Sequence, residues 1–318
     1  MTSPDTDTLV TRLRAAGCVF AEEEAELLLT AATDPEHLES LVAQRIAGYP
    51  LEHLLGWAEF RGLRVAVAAN VFVPRQRTGF LVEQAVMLGA NLIRPDAHIP
   101  GLANEATAAG THVHASSTQQ TVAMGGSSMR PDADGAEPTG GASTSERALV
   151  ALDMCCGCGA LGMALASELA AEGIRVELAA SDIEHAAVEC ARVNLAALNG
   201  QVFEGDLFEP VPAELAGRVD ILLANTPYVP SAEISWMPPE ARDHEPRVAL
   251  DGGVDGLDVL RRIAAVAGEW LAPGGHLLVE ESEEQAPVAV EIMRGHGLSA
   301  RIVECEELGA TVVIGTRA

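Results

Sequence analysis

The sequence of 318 residues contains no lysine, so its 20 basic side chains are all arginines, against 46 aspartates and glutamates. Its formal net charge is −26. The phosphate backbone of a nucleic acid would be repelled by such a chain unless a local basic patch existed, and the sequence contains no basic run. The charge therefore disfavours nucleic acid as the main partner. It does not exclude it, because net charge does not describe one local surface.

Long apolar runs are also missing, although 48% of the residues are apolar and can form a sizeable core. No stretch of 18 or more apolar residues occurs, which argues against a transmembrane helix. The first seven residues lack the basic and apolar regions of a secretory signal. The six cysteines do not resemble a disulfide framework, because three of them lie within four residues. We therefore expect a cytoplasmic protein that does not associate with a membrane.

Residues 1–85 are predicted to form a small helical domain followed by a hairpin connector. Apolar residues recur at helical spacing in three stretches before residue 50. Two strand-like stretches follow, 59–64 and 65–73, and the second ends at Pro74.

Residues 86–147 differ in composition from the rest of the chain. From 104 to 147 the segment consists mainly of small and polar residues without periodicity. A structureless segment of this length is uncommon inside a compact domain. We predict a low-complexity, disordered insertion, and a poorly patterned structured element is the alternative.

Residues 148–318 alternate between strand-like and helix-like stretches. Seven strands are predicted, at 148–153, 175–182, 201–206, 219–225, 276–280, 300–305 and 311–316. Helices are predicted between most of them, at 160–171, 184–198, 257–271 and 283–295. This alternation predicts an α/β fold with a mostly parallel sheet that is covered by helices on both faces. Ligands bind beyond the carboxyl ends of the strands in such sheets.

A glycine-rich loop follows the first of these strands and precedes a helix. It begins at Asp153 and includes Cys155, Gly157 and Gly159. Glycine allows a tight turn and a close approach of the backbone to a ligand. The three cysteines of the loop could suggest zinc, but no second ligand pair accompanies them. We interpret them as small apolar wall residues and expect no metal site.

Two further predicted strands also end in acidic residues. Asp182 could accept hydrogen bonds from ribose hydroxyls. Asp206 could accept one from an adenine amino group, with Leu207 packed on the ring. Together with the glycine loop, these strand ends predict a nucleoside site.

NAD and S-adenosyl-L-methionine are the two candidate cofactors for this site. The glycines at 157, 159 and 162 match the dinucleotide spacing literally. A carboxylate at Asp153 would repel a pyrophosphate, however, and it suits the sulfonium-bearing amino-acid tail of S-adenosylmethionine better. We therefore predict S-adenosylmethionine.

The segment Asn225-Thr226-Pro227-Tyr228 follows a buried-type strand. The lone pair of an amide or aromatic amine is delocalised, so methyl transfer to its nitrogen requires alignment. The side-chain oxygen of Asn225 and the backbone carbonyl of Thr226 could accept the two N–H groups. Pro227 would stiffen the turn, and Tyr228 could pack against the planar group. A simple strand-terminating turn is the alternative, but the three acidic strand ends favour catalysis.

These motifs resemble the HemK/PrmC family of protein-(glutamine) methyltransferases. The segment 225–228 is similar to the family's Asn-Pro-Pro-Tyr, and residues 245–257 resemble its EP…ALDGG.DGL block. Residues 45–75 resemble the end of its N-terminal helical domain. The resemblance covers about residues 40–85 and 148–282.

The resemblance implies a Rossmann-like, class I S-adenosylmethionine-dependent methyltransferase. Family members modify the glutamine of the Gly-Gly-Gln motif in peptide-chain release factors, and their helical domain helps to grip that protein. The cofactor is implied to contact Asp153, Cys155, Gly157, Gly159, Asp182, Asp206, Leu207 and Asn225. The segment 225–228 is implied to hold the glutamine amide. The oligomeric state is left open.

Four departures from the family pattern stand out, and one of them is the insertion at 88–147. Cys155 replaces the first glycine of the loop, and Thr226 replaces the first proline of Asn-Pro-Pro-Tyr. Gln76-Arg77-Thr78-Gly79 stands where the family has Pro-Glu-Thr-Glu, which removes two acids and adds a cation. Two alternatives remain: an enzyme that methylates the amino group of adenine or guanine in nucleic acid, and a cofactor-binding protein without catalysis.

Overall fold

The computed structural model describes residues 6–95 and 147–318. Residues 96–146, which make up most of the predicted insertion, lie outside this part of the chain. In the part that is described, no helix is long and apolar enough to cross a membrane.

Four helices open the chain: α1 (Thr6–Ala15), α2 (Ala21–Ala31), α3 (Pro35–Ile46) and the short α4 (Leu51–Leu55). The first three confirm the helices that apolar spacing predicts. Helix α3 begins where the Asp34 side chain accepts the N–H of His37 at 2.8 Å, with proline in the first turn. The helices enclose a small apolar core that includes Leu13, Leu28 and Val42, each fully buried. This core explains why three short helices persist, since each would be marginal alone.

A hairpin follows, formed by β1 (Trp57–Phe60) and β2 (Leu63–Ala66). The predicted break between residues 64 and 65 is wrong, because the turn lies at Arg61 and Gly62. Both turn residues have positive φ, 50° and 72°, as the tightest hairpin turns require. Glycine meets that requirement without strain at the second position.

Helix α5 (Gly79–Ile93) links the hairpin to the large sheet. It packs against the helix Ala160–Ala171 and against the strands Val219–Ala224 and Leu271–Glu281, and it buries Phe80, Leu81 and Val82 among their side chains. The helix spans residue 85, where a boundary between domains is predicted, and the division into domains stays a prediction.

In the described part of the chain the large sheet contains seven strands, which confirms the seven that alternation predicts. They are β3 (Leu149–Met154), β4 (Val176–Asp182), β5 (Gln201–Glu204), β6 (Val219–Ala224), β7 (Leu271–Glu281), β8 (Leu298–Cys305) and β9 (Ala310–Arg317). The helices around them are α6 (Ala160–Ala171), α7 (His185–Leu195), α8 (Pro239–His244), α9 (Asp258–Trp270) and α10 (Ala286–Gly295).

The two faces of the sheet are covered by different helices. Leu149 and Ala151 of β3 pack with α5, α6 and α7, whereas Val150 and Leu152 pack with α9 and α10. This division follows from the two-residue period of a strand. Because both faces are buried, β3 and β6 are apolar along most of their length.

Among the described residues the strand order is β5-β4-β3-β6-β7-β9-β8, and β9 runs antiparallel to both of its neighbours. The dinucleotide-binding fold has the order 3-2-1-4-5-6 instead, with no reversed strand between the last two. The mostly parallel sheet with helices on both faces confirms the predicted α/β architecture. The order reverses between β3 and β6, so the ligand crevice is expected at the carboxyl ends of these strands.

Candidate active site

A cavity of about 240 Å³ opens at the carboxyl ends of β3, β4, β5 and β6. Most of the predicted site residues line it: Cys155, Gly157, Asp182, Asp206, Leu207, Asn225, Thr226, Pro227 and Tyr228. Residues far apart in sequence therefore meet at the switch point of the sheet. Asp153 and Gly159 are not in its wall.

Asp153 lies beneath the glycine loop and outside the cavity wall, so its contact with the cofactor stays a prediction. It is 1% exposed, and its Oδ2 accepts the N–H of Gly162 at 2.8 Å. Burial raises the pKa of Asp153 to about 8. The carboxyl group therefore fixes the first turn of α6. The buried carboxyl group faces the backbone of the loop and not the cavity, so the argument against a dinucleotide rests on the strand order.

The backbone of the loop turns through left-handed conformations. Gly157 has a φ of 54°, and its N–H donates to Oδ2 of Asp182 at 2.8 Å. Gly159 has a φ of 77°, and a Cβ atom there would lie 3.2 Å from Cβ of Ala191 on α7. Gly159 therefore serves helix packing and does not contact the cavity. Cys155 has a φ of 55°, a conformation that favours glycine, at the position where the family has glycine.

Asp182 ends β4 and anchors two loops at once. Its Oδ2 accepts from Gly157, and its Oδ1 accepts from the N–H of Glu184 at 2.9 Å. Burial raises the pKa of Asp182, although these two bonds oppose the shift. A carboxylate oxygen can accept more than one hydrogen bond, so Asp182 retains the capacity to bind hydroxyl groups in the cavity.

Asp206 and Leu207 follow β5. Oδ2 of Asp206 accepts from Nη2 of Arg262 on α9 at 2.6 Å. Leu207 has a φ of 50°, and its carbonyl accepts the hydroxyl of Ser181 at 2.9 Å. Arg262 also lines the cavity, and sequence reasoning missed it because it lies 56 residues from its partner.

The side chain of Asn225 makes no hydrogen bond within residues 6–95 and 147–318. Its amide oxygen is therefore available to accept one in the cavity. Thr226 is 2% exposed, and its hydroxyl has no partner in the same part of the chain. A threonine hydroxyl thus takes the place of an apolar proline ring.

The backbone of the 225–228 segment is held by the glycine-rich block that follows α8. The N–H of Val229 donates to the carbonyl of Leu250 at 3.1 Å, and the N–H of Gly252 donates to the carbonyl of Val229 at 2.9 Å. A Cβ atom on Gly252 would lie 2.5 Å from the carbonyl oxygen of Pro227. Only glycine fits there, so the close approach of the Pro227 carbonyl explains why position 252 is a glycine.

Tyr228 is held by a charged pair that the sequence alone did not indicate. Nε of Arg77 donates to Oε1 of Glu280 at 3.0 Å, and its Nη2 contacts the hydroxyl of Tyr228. That hydroxyl donates to the same Oε1 at 3.3 Å. Glu280 is 2% exposed, so Arg77 compensates a buried charge. Burial raises the pKa of Tyr228, which keeps the hydroxyl protonated.

A second charged pair joins two motifs that carry the family resemblance. Nη2 of Arg75 donates to both oxygens of Glu245 at 2.7 Å. Glu245 also accepts the N–H of Val73 at 3.3 Å. Burial raises the pKa of Glu245, and Arg75 opposes that shift. The pair connects Arg75, which lines the cavity, to Glu245, which directly follows α8.

Across the described ranges, no group of three or more His, Cys, Asp or Glu side chains is arranged to hold a metal ion. Cys155, Cys156 and Cys158 are free thiols, and burial raises the pKa of each. Protonated thiols are poor metal ligands and poor nucleophiles. They are consistent with apolar wall residues.

The strand order and the cavity at the switch point fit the Rossmann-like methyltransferase fold that the motifs predict. Residues 143–237 match the family model of the methyltransferase small domain. A release factor glutamine methyltransferase from Geobacter sulfurreducens is 31% identical over 292 residues, which are 89% of this chain and 80% of the relative. One from Mycolicibacterium smegmatis is 31% identical and covers 90% and 86% of the two chains.

The chain belongs to the release factor glutamine methyltransferase family, which confirms the resemblance found in its motifs. A solved methyltransferase from Pyrococcus furiosus is 18% identical, covers 54% of this chain and 76% of its own, and superposes with a TM-score of 0.40. The family assignment rests on the sequence relatives.

Proposed function

We propose that this enzyme methylates the side-chain amide nitrogen of a glutamine in a protein, with S-adenosylmethionine as methyl donor. The observation that carries the proposal is the side-chain amide of Asn225 in the cavity wall, which has no hydrogen-bond partner among the described residues and lies beside the strand ends that suit a nucleoside. We further propose that the protein is a peptide-chain release factor and the target its Gly-Gly-Gln glutamine, because the relatives are named for that substrate.

The cofactor would be held at the ends of β3, β4 and β5. Asp182 would accept hydrogen bonds from ribose hydroxyls, and Asp206 would accept one from the adenine amino group, with Leu207 against the ring. Cys155 and Gly157 would border the amino-acid part. When bound, the cofactor supplies an electrophilic methyl group on a sulfonium.

The chain's own acceptors would orient the substrate amide. The Oδ1 atom of Asn225 and the carbonyl of Thr226 would each accept one N–H, which aims the nitrogen lone pair. The carbonyl of Thr226 is a backbone group, so the replacement of proline by threonine preserves it. Tyr228 would pack on the planar amide, with its ring fixed by Arg77 and Glu280.

The helical segment before the hairpin would contribute to gripping the protein substrate. It contacts the catalytic part through Arg45, whose Nη1 lies 3.4 Å from Oε2 of Glu240 on α8. The ring of Tyr49 lies 4.1 Å from that of His244 on the same helix. These contacts join the helical segment to the polypeptide that borders the cavity mouth.

Incubation with labelled S-adenosylmethionine tests the proposal. Purified release factors, ribosomal proteins, tRNA and duplex DNA would be offered separately, and mass spectrometry would locate the added methyl group. We expect label on a release factor glutamine. Label only on an adenine or guanine amino group would support the nucleic-acid alternative. Cofactor binding without transfer to any substrate would support a non-catalytic role.

A further inference from the structure

A shallow groove adjoins the mouth of the active-site cavity. It is lined by Val229, Glu233, Trp236 and Met237, and it is called the Trp236 groove below. Val229 and Met237 also line the cavity itself. The groove is therefore a continuation of the cavity wall, and it begins at the residue that directly follows Tyr228.

Trp236 is 86% exposed in this groove. The other two tryptophans have partners: Arg64 lies 4.2 Å from the ring centre of Trp57, and Trp270 stacks on Phe208 at 5.0 Å. For Trp236 no such ring contact occurs within the described ranges. An exposed tryptophan beside a substrate cavity is typical of a residue that a protein partner buries.

The groove is preformed by backbone contacts. The N–H of Ser231 donates to the carbonyl of Gly253 at 2.8 Å, and the N–H of Trp236 donates to the carbonyl of Glu233 at 2.8 Å. Ile234, on the same turn, is only 8% exposed and anchors that turn. The ring of Trp236 is thus carried on a fixed turn, so binding would not require the turn to be ordered first.

We propose that the Trp236 groove binds the polypeptide that flanks the target glutamine in the protein substrate, with an apolar side chain of that polypeptide against the Trp236 ring. The inference rests on the proposed function. A glutamine side chain that reaches Asn225 places its own backbone at the cavity mouth, where the shared wall of Val229 and Met237 leads into the groove. An extended chain advances about 3.3 Å per residue, so a residue a few positions from the glutamine reaches Trp236.

Steady-state kinetics with a release factor tests the groove. We expect Trp236→Ala to raise KM for the release factor at least about tenfold, with kcat within about twofold, because the side chain binds substrate remote from the reacting atoms. Trp236→Phe should recover most of the affinity. Val193→Ala is the control: Val193 is 69% exposed on α7 and lies outside the cavity and groove walls, so both constants should stay unchanged.

Acrylamide quenching provides a second readout. The tryptophan fluorescence that is lost in Trp236→Phe comes from Trp236. Acrylamide should quench this fluorescence strongly in the free enzyme, and the release factor should protect it from quenching. Protection already present in the free enzyme would mean that the chain itself or a second copy covers the groove, and would overturn the proposal. If the wild-type enzyme is active on the release factor and Trp236→Ala leaves KM unchanged, the proposed role of the Trp236 groove is overturned and the proposed function is not. Wild-type enzyme inactive on every release factor would overturn both the groove and the proposed function.

Discussion

Substitution of Asp182 by asparagine gives the sharpest test of the cofactor site. The N–H groups of Gly157 and Glu184 donate to different oxygens of Asp182, at 2.8 and 2.9 Å. Asparagine has one oxygen, so one of these donors would face an NH2 group. The two proposed bonds to ribose hydroxyls would also lose their charge assistance. Hydrogen bonds to a charged group contribute about 1 kcal/mol more than neutral ones, so we expect a loss of about 2–4 kcal/mol in cofactor binding.

Isothermal titration with S-adenosylmethionine and with its demethylated product measures this loss directly. A change of about 2–4 kcal/mol corresponds to a roughly 30- to 1000-fold weaker Kd. Glu177→Gln is the matched control, because Glu177 lies near the opposite end of β4 and pairs with Arg218 at the surface. Exposed pairs contribute about 0–1 kcal/mol to stability, and this one does not border the cavity. An Asp182→Asn enzyme that stays folded and binds with unchanged affinity would refute the ribose assignment.

Three further outcomes are expected. Gly252→Ala should destabilise the protein by about 3 kcal/mol in chemical denaturation, since its Cβ would meet backbone oxygen, whereas Gly268→Ala, with open space around it, should be neutral or slightly stabilising. Arg77→Gln should lower kcat about tenfold or more in a methyl-transfer assay, because Tyr228 loses a partner. Burial raises the pKa of Glu281 to about 8, so the folded state binds more protons than the unfolded state between about pH 4.5 and 8. The free energy of unfolding should therefore fall with rising pH by about 1 kcal/mol per unit, and Glu281→Gln should reduce that slope.

Each of these outcomes has a result that contradicts it. Equal stability of Gly252→Ala and Gly268→Ala would mean that the glycine-rich block around Gly252 does not fix the 225–228 segment. A normal kcat in Arg77→Gln would show that the Tyr228 ring needs no cation. The same dependence of unfolding on pH in Glu281→Gln and wild type would place the titration elsewhere, for example at Asp153.

Local pattern predicts much of the catalytic part. Strand stretches such as 219–225 are short apolar runs, and acidic or amide residues follow them, so both the sheet and the ends that carry the site can be recognised from sequence. The reversal of β9 has no such signal, because an antiparallel strand differs from a parallel one mainly in its partners. Only the structure therefore distinguishes the observed strand order from the dinucleotide-binding one.

Orientation and long-range pairing are what the sequence could not provide. Asp153 looks like a site residue because it ends a strand, but its side chain points beneath the loop to Gly162. Arg77 lies 203 residues from Glu280, so its sequence neighbours say nothing about this partner. The hairpin turn could have been found, since Arg61-Gly62 lies between apolar residues and contains a glycine.

The central claim is that Asn225 orients an amide nitrogen for methyl transfer. Single-turnover transfer from labelled S-adenosylmethionine to a release factor, compared between wild type and Asn225→Ala, tests it most directly when cofactor affinity is measured on the same samples. We predict that Asn225→Ala abolishes transfer, with a loss of about 100-fold or more, and leaves cofactor affinity within about threefold. Near-normal transfer by the Asn225→Ala enzyme would contradict the account.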